Sequence, residues 1–280
     1  MNDKRMPMIV LPGALVACLA ATAAVAQSAG APAGQQAETL DEIVVTATRQ
    51  AVALSKVALS VTAYNQETLD LQGVKNVDDV ARFTPGVAFE RAARYNSSQS
   101  NITVRGIRST SGVPTTGIYI DDTPVQIRTG TSQSASNPYP RIFDLDRVEV
   151  LRGPQGTLFG AGAVGGAVRF ITPEPSLTDR SMRARGEYSM TDNGDASFEA
   201  GIAAGGLIVD GTLGYRISAW RRDDGGWVDR LNYNGSVADD NANRGNTSAL
   251  RLALAWQPIG KLRITPSVLY QNTYSNDTSV

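Results

Sequence analysis

The sequence contains no histidine and a single cysteine, Cys18. The first absence excludes imidazole acid–base catalysis, His-containing triads and His-ligated metals. The second excludes an internal disulfide and a thiolate zinc site. Neither sign of charge dominates, with 26 Lys and Arg against 27 Asp and Glu and a formal net charge of -1. A nucleic-acid binder needs a basic surplus to neutralise phosphates, and a peripheral membrane protein needs a polybasic patch; neither is present. Charged residues are only 19% of the chain, whereas the 42% that are apolar suffice for a folded protein. The 280 residues allow one large domain or two small ones. No convergent nucleophile–base pair can be named, so no enzyme, cofactor or bound metal is expected.

The first segment has the form of an export signal. Lys4 and Arg5 supply a charged start, Met8 to Ala24 carry no charge, and Ala24-Val25-Ala26 is a small-x-small cleavage pattern before Gln27. Residues 1–26 are therefore expected to be a signal peptide. Leu15-Val16-Ala17-Cys18 also resembles a lipoprotein cleavage box, although the apolar run continues beyond the cysteine. Residues 27–40, rich in Ala, Gly, Gln and Pro, read as a flexible leader.

From Asp41 the pattern changes to short β-rich runs with two small helices. Val57 to Tyr64 reads as a strand. Asn65 is placed to cap a helix ending near Gly73, and Asn76 a second helix through Phe83, with Asp78 and Asp79 in its first turn. Ile102–Ile107 and Gly117–Asp121 read as paired strands. Arg147–Arg152 is another strand, ending at the Gly153-Pro154-Gln155-Gly156 turn, and Val168–Thr172 is the last.

Beyond Thr178 apolar residues alternate over longer runs. Met182, Ala184, Gly186, Tyr188 and Met190 make one stripe, with Phe198, Ala200 and Ile202 a weaker second. Leu207–Arg221 reads as one long strand. Leu250, Leu252, Leu254 and Trp256 follow, then Leu262, Ile264, Val268 and Tyr270. A period of two over about ten residues fits the wall of a membrane β-barrel. Trp220, Trp227 and Trp256 all lie here, as an interfacial girdle would require. A soluble β-sandwich alternates in the same way; the length of the Leu207–Arg221 run and the export signal favour the barrel.

Four motifs then fall in order: Glu42-Ile43-Val44-Val45-Thr46-Ala47; Val104-Arg105-Gly106-Ile107; Ile118-Tyr119-Ile120-Asp121-Asp122; and Arg147-Val148-Glu149-Val150-Leu151-Arg152-Gly153-Pro154-Gln155-Gly156-Thr157-Leu158-Phe159-Gly160, closed by Gly165-Gly166. Their order and spacing resemble the N-terminal plug of the TonB-dependent outer-membrane receptors. The resemblance covers roughly Asp41 to Thr172, and the long last motif is its most specific part. Two departures stand out. Asp121-Asp122 replaces a common Asp-Gly, and Ala161-Gly162-Ala163-Val164 is more apolar than usual.

The resemblance implies an α+β plug domain (50–175) followed by antiparallel transmembrane β-barrel strands (178–280). Family barrels have about 22 strands, and the handful of candidate strands here cannot close. The barrel is thus expected to be incomplete and the chain an N-terminal fragment. The resemblance further implies a TonB box at 41–48, with Glu42, Ile43, Val44, Val45, Thr46 and Ala47 contacting TonB and, through it, the inner-membrane energising partners. Such a β-branched ribbon on a polar tether suits addition to an exposed sheet edge. An ordinary first strand of the plug is the plainer reading.

Arg105, Gly106, Arg152, Gly153, Gly156, Gly160, Gly165 and Gly166 are expected to shape the plug, the glycines by positive φ or close backbone contact. If the 102–107 and 117–121 strands form a hairpin, the loops 94–101 and 128–140 share its outer end. Arg94, Tyr95, Asn96, Gln99, Arg128, Gln133 and Tyr139 would then meet a polar cargo. Gly160 to Gly165 matches a dinucleotide fingerprint literally, but the strand-like sequence after it is wrong for that fold. Asp239–Gly245 hints at a calcium loop, yet lacks the closing glutamate. The expected protein is a transport receptor in the bacterial outer membrane, in contact with lipid and importing a ferric siderophore. A carbohydrate, cobalamin or other nutrient is the alternative cargo, and a secreted β-sandwich binding module the alternative class.

Overall fold

A computed structural model of the chain describes residues 43–47, 49–90, 101–108, 114–125, 139–141 and 143–276. The signal segment, the leader, Glu42 and the loop residues Arg94, Tyr95, Asn96, Gln99, Arg128 and Gln133 lie outside the described residues. Strand β1 (Val44–Val45) pairs antiparallel with β2 (Val52–Ala53). Strand β3 (Val61–Asn65) starts later than expected, because a 3-10 turn at Leu54–Lys56 and a Val61 N–H bond to the Leu59 carbonyl (3.0 Å) bend the chain first.

Both small helices form where their caps lie. In α1 (Gln66–Leu71) the Asn65 Oδ1 accepts the Thr68 N–H at 2.8 Å. In α2 (Val77–Phe83) the Asp79 carboxylate reaches back to the Asn76 N–H at 3.1 Å. Then come β4 (Val87–Glu90), β5 (Asn101–Val104), β6 (Thr116–Ile120), β7 (Thr123–Pro124), β8 (Arg147–Arg152), the short α3 (Gly156–Phe159) and β9 (Gly166–Ile171).

Five of these strands make the central sheet of the plug, in the order β3-β8-β9-β6-β7, with β6 and β9 parallel. The expected hairpin between residues 102–107 and 117–121 is therefore not formed. Instead β5 pairs with β4, Val104 facing Val87, and β6 lies beside β9. The reason is burial: Thr116, Gly117, Ile118 and Tyr119 are all buried, and a strand covered on both faces belongs inside a sheet. Leu69, Val80, Val104, Val148, Val168 and Phe170 fill the core between helices and sheet.

The second half is one antiparallel sheet. It consists of β10 (Ser181–Met190), β11 (Ala196–Val209), β12 (Leu213–Asp224), β15 (Gly245–Ile259), β16 (Leu262–Ile264) and β17 (Ser267–Ser275), the last two both pairing with β15. A small hairpin, β13 (Arg230–Leu231) and β14 (Val237–Asp239), stands in the long loop before β15. The run Leu207–Arg221 is not one strand: Asp210-Gly211-Thr212 turns it, with Gly211 at φ +64° and the Thr212 N–H on the Val209 carbonyl at 3.0 Å. The alternation survived the turn in phase, which disguised it. Even so, β11, β12 and β15 hold 14, 12 and 15 residues, enough to cross a bilayer tilted.

This sheet is inside out for a soluble protein. Met182, Tyr188, Phe198, Ile202, Leu250 and Leu252 are all exposed on one face, while Glu199, Arg216, Ser218 and Arg251 are buried on the other. That order suits lipid outside and a polar lumen within, and disfavours the sandwich alternative. No described helix is long and apolar enough to cross a membrane. Trp220 departs from the expected girdle: it is 6% exposed, faces inward and donates its indole N–H to Glu199 at 2.9 Å. Trp227 and Trp256 do stand exposed.

Plug and wall belong to one unit of the chain, and charge joins them. Asp70 meets Arg183 and Arg185, Lys75 meets Glu187, and Asp144 meets Arg216.

Candidate functional site

The ribbon Ile43–Ala47 is docked on the plug. Its Ile43 carbonyl accepts the Leu54 N–H at 2.9 Å, and Val45 and Ala47 have no solvent exposure. They pack with Tyr119, Leu151, Phe159, Ala163 and Ala167. Between them sits Thr46, whose N–H donates to Glu149 Oε1 at 2.8 Å. Its hydroxyl oxygen accepts from Arg169 at 2.9 Å and from Arg147 at 3.1 Å.

Glu149 is itself fully buried, and a buried carboxylate must be paired. Arg169 donates to its Oε2 at 2.7 Å and Arg147 to its Oε1 at 2.8 Å, while the other arm of Arg169 reaches Asp122 at 3.1 Å. After the ribbon, Arg49 takes up φ +59° and donates to the Leu158 carbonyl at 3.0 Å. Arg49 and Arg169 each lie about 5.5 Å from the Phe159 ring centre (5.6 and 5.5 Å). Burial raises the Tyr119 hydroxyl above its ordinary pKa, the charge of Arg49 opposing this. Arg147 and Glu149 stand in the long motif without marking a site there, and Arg169 lies just beyond it. The available signal was a charge inside an apolar strand, Val148-Glu149-Val150 and Val168-Arg169-Phe170.

Arg105 (φ +53°) is exposed beside Gly153, where an added Cβ would come 3.3 Å from the Arg105 guanidinium at φ +107°. Arg152 donates to the Pro85 carbonyl at 3.1 Å. At Gly166 a Cβ would lie 2.3 Å from the Leu151 carbonyl oxygen, so β8 and β9 can approach only over a glycine. The Gly165 N–H donates to the Thr115 carbonyl at 2.8 Å, from which an added Cβ would lie only 3.3 Å, and Gly160 closes α3 at φ +76°. Gly106 turns at φ +73°. Gly156 corrects the expectation: it has neither positive φ nor a close neighbour, and simply begins α3.

Of the expected cargo-contacting residues only Tyr139 is described. Its ring is half-buried and packs edge-on against Phe89 at 5.4 Å, and its carbonyl accepts from Gln271 at 3.1 Å. Next to it, Arg141 donates to Asn76 and, at 3.2 Å, to Thr247 of the wall. Burial pulls the Arg141 pKa down; the carboxylates of Asp224, Asp78 and Glu199 oppose that pull. A seam cavity of about 40 Å³ lies between Phe143, Asp144, Trp220, Arg251 and Gln271. It would hold a few waters at most. Among the described residues no three acidic or sulfur ligands converge on a metal site.

A polar α/β stopper packed against lipid-facing strands defines a plugged outer-membrane receptor. Residues 53–167 match the family model described as the TonB-dependent receptor plug domain. The chain belongs to the TonB-dependent receptors of the bacterial outer membrane, a family of transporters and not of enzymes. It is 32% identical to the pesticin receptor of Yersinia pestis over 82% of its own length and 32% of that protein's. With the ferripyoverdine receptor of Pseudomonas aeruginosa it shares 30% identity over 48% of this chain and 15% of the relative. The solved ferric yersiniabactin uptake receptor from Yersinia pestis superposes with a TM-score of 0.62 at 26% identity, covering 78% of this chain and 32% of that one. The chain thus spans about a third of the length of the pesticin receptor it matches.

Proposed function

We propose that the receptor built on this plug and wall imports a scarce nutrient across the outer membrane, and that its cargo is a ferric siderophore. The observation that carries the import reading is the pairing of plug to wall by charge, Asp144 with Arg216, Lys75 with Glu187 and Asp70 with Arg183. A plug held in this way has to be moved before cargo can pass, and that work would come from the periplasm. The segment offered for that work is Glu42 to Ala47, as the contact for TonB. Residues 1–26 act as the export signal, 27–40 as a periplasmic tether, 41–48 as the TonB box, 50–175 as the plug and 178–280 as wall. Among the described residues β10 at one side of the wall, and β16 and β17 at the other, have no outer partner strand, an arrangement that lipid does not tolerate in a finished barrel.

The siderophore reading draws on the relatives named for ferripyoverdine and for ferric yersiniabactin uptake; others are named for pesticin, vitamin B12 and hemin. Loops 94–101 and 128–140 are offered to that cargo on composition alone, being rich in Tyr, Asn, Gln, Ser and Arg, since the hairpin that would have joined their ends is not formed. The test is growth of a deletion strain under iron limitation, with uptake of labelled siderophores. Unchanged iron uptake, with loss of cobalamin or sugar uptake instead, would replace the cargo while leaving the transport reading in place.

A further inference from the structure

We infer that the Glu149 carboxylate, fixed by Arg169 and Arg147, is a catch that holds the Ile43–Ala47 ribbon on the plug and sets how often it comes free. The inference rests on the reading of that ribbon as the TonB contact, and adds how its availability is controlled.

Three observations carry it. The Thr46 N–H, a main-chain donor that strand addition would need, is already taken by Glu149. The Thr46 hydroxyl accepts from both guanidiniums, so all three charged groups converge on one ribbon residue. Val45 and Ala47, on either side, lie fully buried in the same cleft.

The arrangement is also reversible in a way an ordinary core contact is not. When the ribbon leaves, Glu149 keeps both arginines and needs only water in place of Thr46, so no charge is stranded. Undocking therefore exposes Val45 and Ala47, gives up the β1–β2 pairing and the Leu54 N–H bond to Ile43, and exchanges a few charge-assisted hydrogen bonds. It does not break the ion pairs that hold β8 to β9. One end of the cluster faces solvent, since the Asp122 side chain on the far arm of Arg169 is 63% exposed. Arg169 thus joins the buried ribbon to an accessible turn.

The test uses the full-length receptor in outer membranes, with a single reporter cysteine at Val45→Cys and maleimide–polyethylene glycol as the probe. Without further change, labelling is slow. Thr46→Val, which keeps shape and β-branching but removes the hydroxyl, accelerates it about tenfold, as expected for losing hydrogen bonds to charged groups. Glu149→Gln does the same, and so does Arg169→Lys, whose single ammonium cannot hold Thr46, Glu149 and Asp122 together. A second reporter, Val80→Cys in α2, remains protected throughout. The catch is overturned if Val45→Cys labels at full speed from the start, if Thr46→Val leaves its rate unchanged, or if both reporters open together. Capture by the TonB periplasmic domain is scored separately on the same membranes. Faster labelling with no gain in capture leaves the catch standing and removes the TonB-contact reading. A gain in capture at unchanged labelling removes the catch and keeps that reading.

Discussion

Asp144 of the plug and Arg216 of the wall form a two-point ion pair buried on both sides, Arg216 Nε lying 3.1 Å from Asp144 Oδ2 while Nη2 meets Oδ1. Arg216 also donates to Ser181 at 2.7 Å, so one side chain ties the plug to two wall strands. A buried pair adds little over an apolar match, but removing one partner strands the other charge, at about 3–5 kcal/mol. Asp144→Ala should therefore loosen the plug strongly, and adding Arg216→Met should recover much of the loss. The check is protease sensitivity of the plug in folded receptor. Equal sensitivity of the single and double variants would show that the pair does not hold the plug.

The glycines of the long motif should separate into two kinds. Gly166→Ala puts a methyl group 2.3 Å from the Leu151 carbonyl, and overpacking between two paired strands costs about 1–3 kcal/mol. Gly156→Ala meets nothing within 4 Å and lies in a helix, so it should be neutral or stabilise by about 0.4–1 kcal/mol. Thermal unfolding of the full receptor distinguishes them. Similar losses at both positions would mean that motif membership, and not local space, sets the need for glycine.

Residues that carry their own local instructions were legible in the sequence. Asn65 and Gly73 bracket α1, and Asn76 with Asp79 start α2, because capping needs only neighbours in the chain. Partners across the fold were not legible in the same way. Glu149 alternates with Val148 and Val150, so it reads as a solvent-facing strand residue; nothing local announces that a distant ribbon covers that face. The β6–β9 parallel pairing was missed for a related reason, since a strand buried on both faces has no period to reveal its neighbour. Conversely, the exposed apolar stripes were read correctly even where Asp210-Gly211 was missed, because alternation reports the face and not the strand count.

In the loop between β12 and β15 the carboxyls of Asp229 and Asp240 act on each other's protonation. The Asn241 N–H (3.0 Å) holds the Asp229 carboxyl below its ordinary pKa, and the hydrogen bond and charge of Asp229 push Asp240 above its own. The raised Asp240 contributes to loop closure below the usual aspartate range, and that contribution is lost as pH rises through its elevated value. Asp229 works in the opposite sense, its contribution lost as pH falls through its depressed value. At neutral pH the pair is thus strained by like charge, and Asp240→Asn should slow proteolysis of the 225–244 loop. The two rates should converge as the solution is acidified. Identical cleavage at neutral pH would show that the carboxyls do not meet.

The outward face of the wall offers the most direct check on which side meets lipid. Leu252 lies midway along β15, is 47% exposed and sits opposite Ile217 of β12, itself exposed on the same face. If that face lies in hydrocarbon, Leu252→Arg places a guanidinium near the bilayer midplane, at about 2–4 kcal/mol. Leu252→Phe keeps the face apolar and should assemble normally. A soluble sheet would respond in the reverse order, since a half-exposed strand position tolerates arginine and gains nothing from a larger aromatic ring. Outer-membrane yield and the heat-modifiable folded band of the full receptor read the difference. Normal assembly of Leu252→Arg would mean that this face does not meet lipid, and the inward charges of Glu199, Arg216 and Arg251 would then need another explanation.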